Sequence, residues 1–178
     1  SKEWDTATTL AAIEVAAKVF DDLNRLSGSR PGKGDRSKKL RSFCEQFVER
    51  ALRHRLTDEH RQLYIESQFQ KTKDEETAVR RVVMLALKSP RFLYREIGGQ
   101  NDTFNFAARL SFGLWDCPPD NQLWNGANGN SLDSRIKVAR HAARMVNDPR
   151  TRTKLRDFFH YWLKLDHLTD ISKDAEQF

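Results

Sequence analysis

Residues 82–124 read VVMLALKSPRFLYREIGGQNDTFNFAARLSFGLWDCPPDNQLW, two apolar patterns of helical period joined through Pro90 and the pair Gly98-Gly99. In the first, Val79, Val82, Val83, Ala86 and Leu87 fall at i, i+3, i+4, i+7 and i+8, the spacing of one helical face. Pro90 stops or kinks that helix, because proline lacks an amide hydrogen and crowds the turn before it. In the second, 104–115, Phe106, Leu110, Gly113 and Leu114 share a line, and Gly113 is expected to admit a neighbouring helix closely. Asp116-Cys117-Pro118-Pro119 ends it. No other part of the chain is so dense in apolar and aromatic residues, so the remaining helices are expected to pack around it.

Upstream, Leu10, Ile13, Ala17 and Phe20 recur at helical spacing over 6–26, with Asp5 or Thr6 as the cap. The stretch SGSRPGKGDRS, 27–37, reads as a loop. Its GSRPGKGD superficially resembles a phosphate loop, but a helix precedes it and Gly34-Asp35 stands in place of the Lys-Ser pair, so that reading is set aside. A second helix over 37–55 places Leu40, Phe43, Cys44, Phe47, Ala51 and Leu52 on one side, with Arg41, Glu45, Glu49, Arg50 and Arg53 on the other. Thr57 caps a third, which runs to about Gln70 through Leu63, Tyr64 and Phe69. Asp74-Glu75-Glu76 brings negative charge to the first turn of the fourth.

Downstream, Leu123 and Trp124 sit on one short turn over 120–126, followed by a polar loop over 126–130. A sixth helix from about Leu132 points Ile136, Ala139, Ala143 and Val146 inward. The last, 151–165, repeats the one-face spacing with Leu155, Phe158, Phe159, Trp162 and Leu163. The expected fold is all-α, an irregular bundle of about seven helices. Its N-terminal region, 1–97, and C-terminal region, 98–178, are expected to share one core.

With 178 residues, 38% of them hydrophobic, and 11 Phe and 4 Trp, the chain can bury a sizeable core without metals or bridges. Gly and Pro number only 8 and 5, which favours long helices over the many turns of an all-β chain. The 31 Lys and Arg against 25 Asp and Glu leave a net charge of +6, spread along nearly every helix. Dispersed charge of this kind reads as solvated faces; it permits an anionic partner and argues against nucleic acid. No run approaches the ~18 apolar residues of a membrane span, and the opening SKEWDTATTL has no signal-peptide core. The chain is therefore expected to be either cytoplasmic or a mature piece of an exported protein, and its polar end, 170–178, reads as though the natural chain continues. Cys44 and Cys117 form no C-x-x-C or C-x-x-C-H, which excludes a zinc ribbon and a covalent haem site. One bridge between them, or two buried free thiols, both fit their spacing.

Few residues suggest chemistry. His160 and His167 lie two helical turns apart with Asp166 nearby, but lack tight ligand spacing, and a helix-surface reading accounts for them. His54 and His60 sit among charges, and His141 lies beside the inward stripe of the sixth helix. Asp116 and Asp120 flank the Cys117-Pro118-Pro119 turn; paired carboxylates near aromatics can serve acid and base chemistry, while aspartate beside proline commonly caps a turn or helix. Cys117 as a nucleophile would need a base that the sequence does not identify. Arg91, Arg95 and Arg109 are interleaved with Phe92, Tyr94, Phe104 and Phe112, a mixture able to hold an anionic polymer or a sugar, or to fasten helices. Arg109 is read as such an anchor.

Arg50-Ala51-Leu52-Arg53-His54-Arg55-Leu56-Thr57 resembles the R-A-F-R-R-P-L-T signature of domain of unknown function 1595, found in planctomycete cytochrome-c-associated proteins. Leu87-Lys88-Ser89-Pro90-Arg91-Phe92-Leu93-Tyr94-Arg95 is similar to its L-x-S-P-R-F-L-Y-R ending. Ala108 to Trp115, Pro119-Asp120, Arg144-Met145 with Asp148-Pro149-Arg150, and Phe158 with Trp162-Leu163 resemble the adjoining domain of unknown function 1592. The motifs span about 43–168 in family order. The chain departs from the pattern at Arg55, where the signature has proline, and at Cys117-Pro118. The resemblance implies a piece of a large exported protein whose other domains include a c-type cytochrome and sometimes carbohydrate-binding modules. Haem c is then expected elsewhere in the parent, with no cofactor in this stretch. The function expected is a structural or interaction module of unknown activity whose partners are other domains of its parent. The rivals are an enzyme acting on polysaccharide through Asp116 and Asp120, and a helical domain that binds a polyanion.

Overall fold

Helices in this chain begin where a short polar side chain can accept the first free amides. The structure, a computed structural model, describes residues 2–32, 34–94, 102–129 and 131–165. Their elements are α1 (Lys2–Asp21), α2 (Leu23–Ser27), α3 (Arg36–Leu52), α4 (Asp58–Arg61), a π turn (Gln62–Glu66), α5 (Ser67–Gln70), α6 (Glu75–Leu87), α7 (Pro90–Leu93), α8 (Thr103–Trp115), α9 (Asn121–Asn128), α10 (Arg135–Val146) and α11 (Pro149–Trp162). Thr57, Asp74, Ser89, Asp102, Asp120, Ser134 and Asp148 each accept at least one amide at the start of a helix. The fold is all-α, with no strand among the described residues. Several expected helices break in two, so the elements are shorter and more numerous than the seven or so read from periodicity. The chain divides into two units, 1–100 and 101–178.

In the first unit, α6 behaves as its spacing predicts: Val79, Val82, Val83 and Ala86 are buried, and α3 and α1 pack on them. Leu40, Cys44, Val48 and Ala51 of α3 complete the centre. The first helix starts at Lys2, earlier than Thr6, and its buried face is Ala12 and Ala16. The Leu10, Ile13 and Phe20 stripe lies outside. Two constraints set this rotation. Small alanine side chains let α1 approach α6 closely, and Lys88 donates to Asp5 Oδ1 at 2.6 Å and Thr9 Oγ1 at 2.8 Å. The third helix is likewise re-phased. Its π turn inserts an extra residue, which carries Tyr64 and Ile65 inward and leaves Leu63 56% exposed.

Arg53 overturns its expected place on the solvated face. It follows α3 in the left-handed region, φ 59°, and is 8% exposed. Its guanidinium donates to the carbonyls of Arg91 (2.5 Å), Phe92 (3.2 Å) and Tyr94 (3.1 Å) around the end of α7. Those carbonyls have no helical partner of their own, so a forked cation is an apt donor for them. Beside it, Tyr64 Oη and Ser89 Oγ share a buried hydrogen bond of 2.7 Å.

The second unit centres on Ala107 and Trp115 of α8, Leu123 and Ala127 of α9, Leu132, and Met145 of α10. Trp124 meets the edge of Phe104 at 5.0 Å between centroids. Phe106 is exposed and Gly113 has open space where a Cβ would sit, so neither belongs to an inward line. The close approach occurs instead at Gly126 of α9, where a Cβ would lie 2.8 Å from Ser131 Oγ and 3.0 Å from His141 Nε2. Helix α9 also continues past the expected turn, to Asn128. Helix α10 turns Met145 inward and leaves Ile136 76% exposed and Val146 outside. Helix α11 buries Thr151, while Leu155, Phe158, Phe159, Trp162 and Leu163 are all exposed. Again polar anchors decide. Trp115 Nε1 (3.1 Å) and Thr151 Oγ1 (2.7 Å) both donate to the Met145 carbonyl, and Lys154 donates to the Phe112 carbonyl at 2.6 Å.

Arg53→Ala is expected to destabilise the first unit by about 3 kcal/mol, since hydrogen bonds from a charged donor contribute ~1.5–3 kcal/mol. Arg53→Lys should recover less than half of that, because an ammonium cannot fork across several carbonyls. Urea denaturation with amide exchange read in α3 and α7 measures it, and a loss below ~0.5 kcal/mol, the ordinary range of a surface change, would refute the role. The two glycines should respond with opposite signs. Gly113→Ala is expected to stabilise by up to about 1 kcal/mol through helix propensity, whereas Gly126→Ala should destabilise by about 1 kcal/mol or more through overpacking. Thermal melts of the pair distinguish this outcome from uniform propensity gains.

Candidate functional site

The turn after α8 gathers carboxylates and cations from α8, α10 and α11. Trp115 is buried and ends α8; Asp116 follows in the left-handed region, φ 54°, and turns the chain toward Cys117-Pro118-Pro119-Asp120. Prolines at 118 and 119 forbid helix there, and Asp120 restarts it by accepting the Leu123 amide at 2.8 Å. Three cations converge on this turn from α10 and α11. Arg144 forks onto Asp120 at 2.8 and 3.2 Å. Lys154 reaches Asp116 Oδ1 at 2.6 Å. Arg150 pairs with Asp148 at 2.8 Å, lies 3.4 Å from the centroid of the Trp115 ring, and points one nitrogen at Cys117 Sγ, 3.9 Å away. Arg144 also stands over that ring, at 5.3 Å.

Both candidate carboxylates are thus engaged, Asp116 in an ion pair and Asp120 as a cap and an ion pair. Burial pushes the Asp120 carboxyl up, but hydrogen bonds from Arg144 and the Leu123 amide, with the charges of Arg144 and Arg150, outweigh it. The group stays below the usual carboxylate range, which suits a fixed anion and not a proton donor at neutral pH. The hydrogen bonds from Arg150 likewise hold Asp148 down at about 2. What this arrangement does chemically is lock three helix ends together.

The other candidates separate. Cys44 and Cys117 are both free thiols. Cys44 lies in the core of the first unit, where burial pushes its thiol up to about 12, far from a neutral-pH nucleophile. Cys117 is partly exposed. Arg91 and Tyr94 belong to the first unit; Tyr94 is exposed and faces Trp4 at 5.8 Å between centroids, and its carbonyl is one that Arg53 holds. Arg109 is exposed on α8 in the second unit. Arg95 and His167, with Asp166, lie outside the described residues. His160 is exposed on α11, and among the described residues no three His, Cys, Asp or Glu side chains are grouped as a metal site. Among the described residues no helix is long and apolar enough to cross a membrane.

Sequence reasoning missed two features. One is an open cleft of about 590 Å³ in the first unit, lined by Arg41, Phe69, Gln70, Lys71, Thr72, Lys73 and Glu75. Arg41 is already committed there, stacked 4.2 Å over Phe69 and paired with Glu66. The other is the cation cluster around Trp115, signalled only by arginines at the C-terminal end of α10 and the start of α11.

Residues 102–178 match the profile of a family described as PSD4: Protein of unknown function (DUF1592). The match covers the second unit, beginning at the cap of α8. No curated protein and no solved structure matches the chain.

One titratable group near the turn gives a usable signature. His141, beside Gly126 and 3.4 Å from Ser131 Oγ, is held below the ordinary imidazole value by burial first, then by Arg144 and Arg140, against the opposing charge of Asp120. Above that ordinary value, ~6.5, neither folded nor unfolded chain carries the proton. Below it the unfolded chain takes the proton first, so the second unit should lose stability as pH falls through the ordinary value and on through the depressed one. Denaturation at stepped pH should show this loss in the native chain and a flatter profile in His141→Asn. Equal slopes would refute the assignment.

Proposed function

We propose that the chain is a structural, partner-docking module of a larger exported protein and carries no catalytic centre of its own. The observation that supports this is the pair of outward apolar stripes in the second unit: Ile136, Ala139, Ala143 and Val146 on α10, and Leu155, Phe158, Phe159, Trp162 and Leu163 on α11. Exposed surface like that of α11, rich in Phe and Trp and flanked by arginine, has the composition of recognition sites and not of ordinary solvated faces. Phe158 and Trp162 stack at 5.9 Å and 23°, and Phe159 meets the edge of Phe158 at 5.4 Å, so the patch is already ordered.

The family match of 102–178 supports the module reading for the second unit. For the first, support comes from the two motifs that resemble domain of unknown function 1595, at 50–57 and 87–95, which Arg53 joins by hydrogen bonds. On this reading the parent belongs with the planctomycete cytochrome-c-associated proteins. Haem c and any electron transfer reside in its other domains, and those domains are the partners. The polysaccharide-enzyme reading gains nothing from Asp116 and Asp120, since both carboxylates are spent on Lys154 and Arg144.

If the α11 face serves docking, its rings do not hold the unit together. Phe158→Ser combined with Trp162→Ser should change unfolding free energy by no more than ~0.5 kcal/mol per site, the range for surface substitutions. A drop of ~3–5 kcal/mol per ring, the range for buried aromatics, would make these residues core and end the docking reading. Equilibrium denaturation of the double variant, with helicity from circular dichroism, decides between them.

A further inference from the structure

We infer that the α11 face docks on α1 of a second copy of this chain; the inference rests on the docking reading above and names its occupant. Two exposed apolar faces are present among the described residues, one in each unit; the rim of α1 is richer in acid, although Glu14 pairs there with Lys18 and Arg80 lies over the Phe20 ring, and that of α11 is richer in base. On α1, Leu10, Ile13, Ala17 and Phe20 form an exposed stripe. Glu3, Glu14 and Asp21, spaced 11 and 7 residues apart, fall within ~20° of one another around the helix and so line one edge of that stripe. On α11, Arg152 and Arg156 are one turn apart and exposed, beside Phe159.

Like charges make the symmetrical alternative unfavourable. Two α11 faces brought together would set Arg152, and Arg156 with its surface partner Asp157, against their own copies in a drying interface, where like charges are costly. Glu3 and Asp21 on the edge of α1 offer the arginines partners, while Leu10 and Ile13 offer aliphatic surface for Phe158 and Trp162. The contact is therefore between unlike surfaces. Two copies that exchange it both ways close into a pair, and copies that cannot close add on as a chain.

The test is the mass in solution of the whole 178-residue chain, followed by light scattering after size exclusion over a concentration series. From 20.7 kDa for one copy, the mass should rise with concentration. Phe158→Glu with Trp162→Glu, and separately Leu10→Glu with Ile13→Glu, should each weaken this association at least ~10-fold, as expected for the centre of an interface. Mixing the two variants should restore a complex of one of each, because one intact α1 then meets one intact α11. Should either apolar variant lose helicity, the charge pair serves instead: Arg152→Glu with Arg156→Glu should abolish association, and mixing with Glu3→Lys, Glu14→Lys and Asp21→Lys should bring it back. A mass that stays at one copy throughout overturns the contact, as does a Leu10, Ile13 variant that associates like the native chain. Flotation of a single-copy chain with vesicles of anionic lipid would overturn it in favour of a lipid surface. In each case an undiminished stability of the Phe158, Trp162 serine variant would leave the docking reading itself intact.

Discussion

The first unit depends on one buried cation. Arg53 ends α3 in a backbone region that a branched or bulky residue avoids, and at that position a glycine would be the easy choice. The chain keeps arginine because the side chain has a task glycine lacks, which is to supply donors to the carbonyls of Arg91, Phe92 and Tyr94. Those carbonyls end a single turn of helix, α7, too short to hold itself by its own ladder. Ser89 starts that turn, and the Tyr64 hydroxyl reaches Ser89 from the π turn. Three elements separated in sequence are thereby fixed by directional contacts around one guanidinium, and the apolar packing of α3 on α6 proceeds from there.

The second unit repeats the logic with different groups. The Met145 carbonyl accepts both the Trp115 indole and the Thr151 hydroxyl, so α8, α10 and the start of α11 meet at one oxygen. Arg144 and Lys154 then tie α10 and α11 to the two carboxylates of the turn after α8. These contacts leave little rotational freedom. Burying the α11 rings internally would require breaking Lys154 from Phe112 and Asp116, at the cost of a desolvated ammonium. The rings stay outside because the polar anchors are the stronger constraint on helix rotation.

This is also what decides how much could be read from residues alone. Helix α6 was legible because its apolar face and its packing partner coincide: Val79, Val82, Val83 and Ala86 are both periodic and buried. Caps such as Thr57 and Asp120 were legible because capping is local chemistry. The rotations of α1, α10 and α11 were not, since periodicity reports that a helix has an apolar face and says nothing of which neighbour will meet it. Gly113 and Gly126 make the same point. Both are helical glycines, and only the approach of Ser131 and of His141 from α10 leaves one of them without room for a Cβ. Arg53 was misplaced because nothing in its neighbours, Leu52 and His54, signals three carbonyls 38 to 41 residues away.

A general acid needs a carboxyl whose proton is held near neutral pH, and a general base needs one that is free to receive it. Asp120 has two hydrogen-bonding donors of its own and two nearby guanidinium charges, while Asp116 sits in contact with an ammonium that also grips the α8 backbone. To recruit either carboxylate for proton transfer, the chain would have to release the same contacts that set α10 and α11 in place. Structure and chemistry therefore compete for these groups, and structure has them. Among the surfaces the described residues leave exposed is the aromatic face of α11, where Phe158 is 53% exposed and Trp162 64% exposed. Side chains of that size gain on the order of 1.5–3 kcal/mol each by leaving water, and that is the free energy on which the proposed docking would draw.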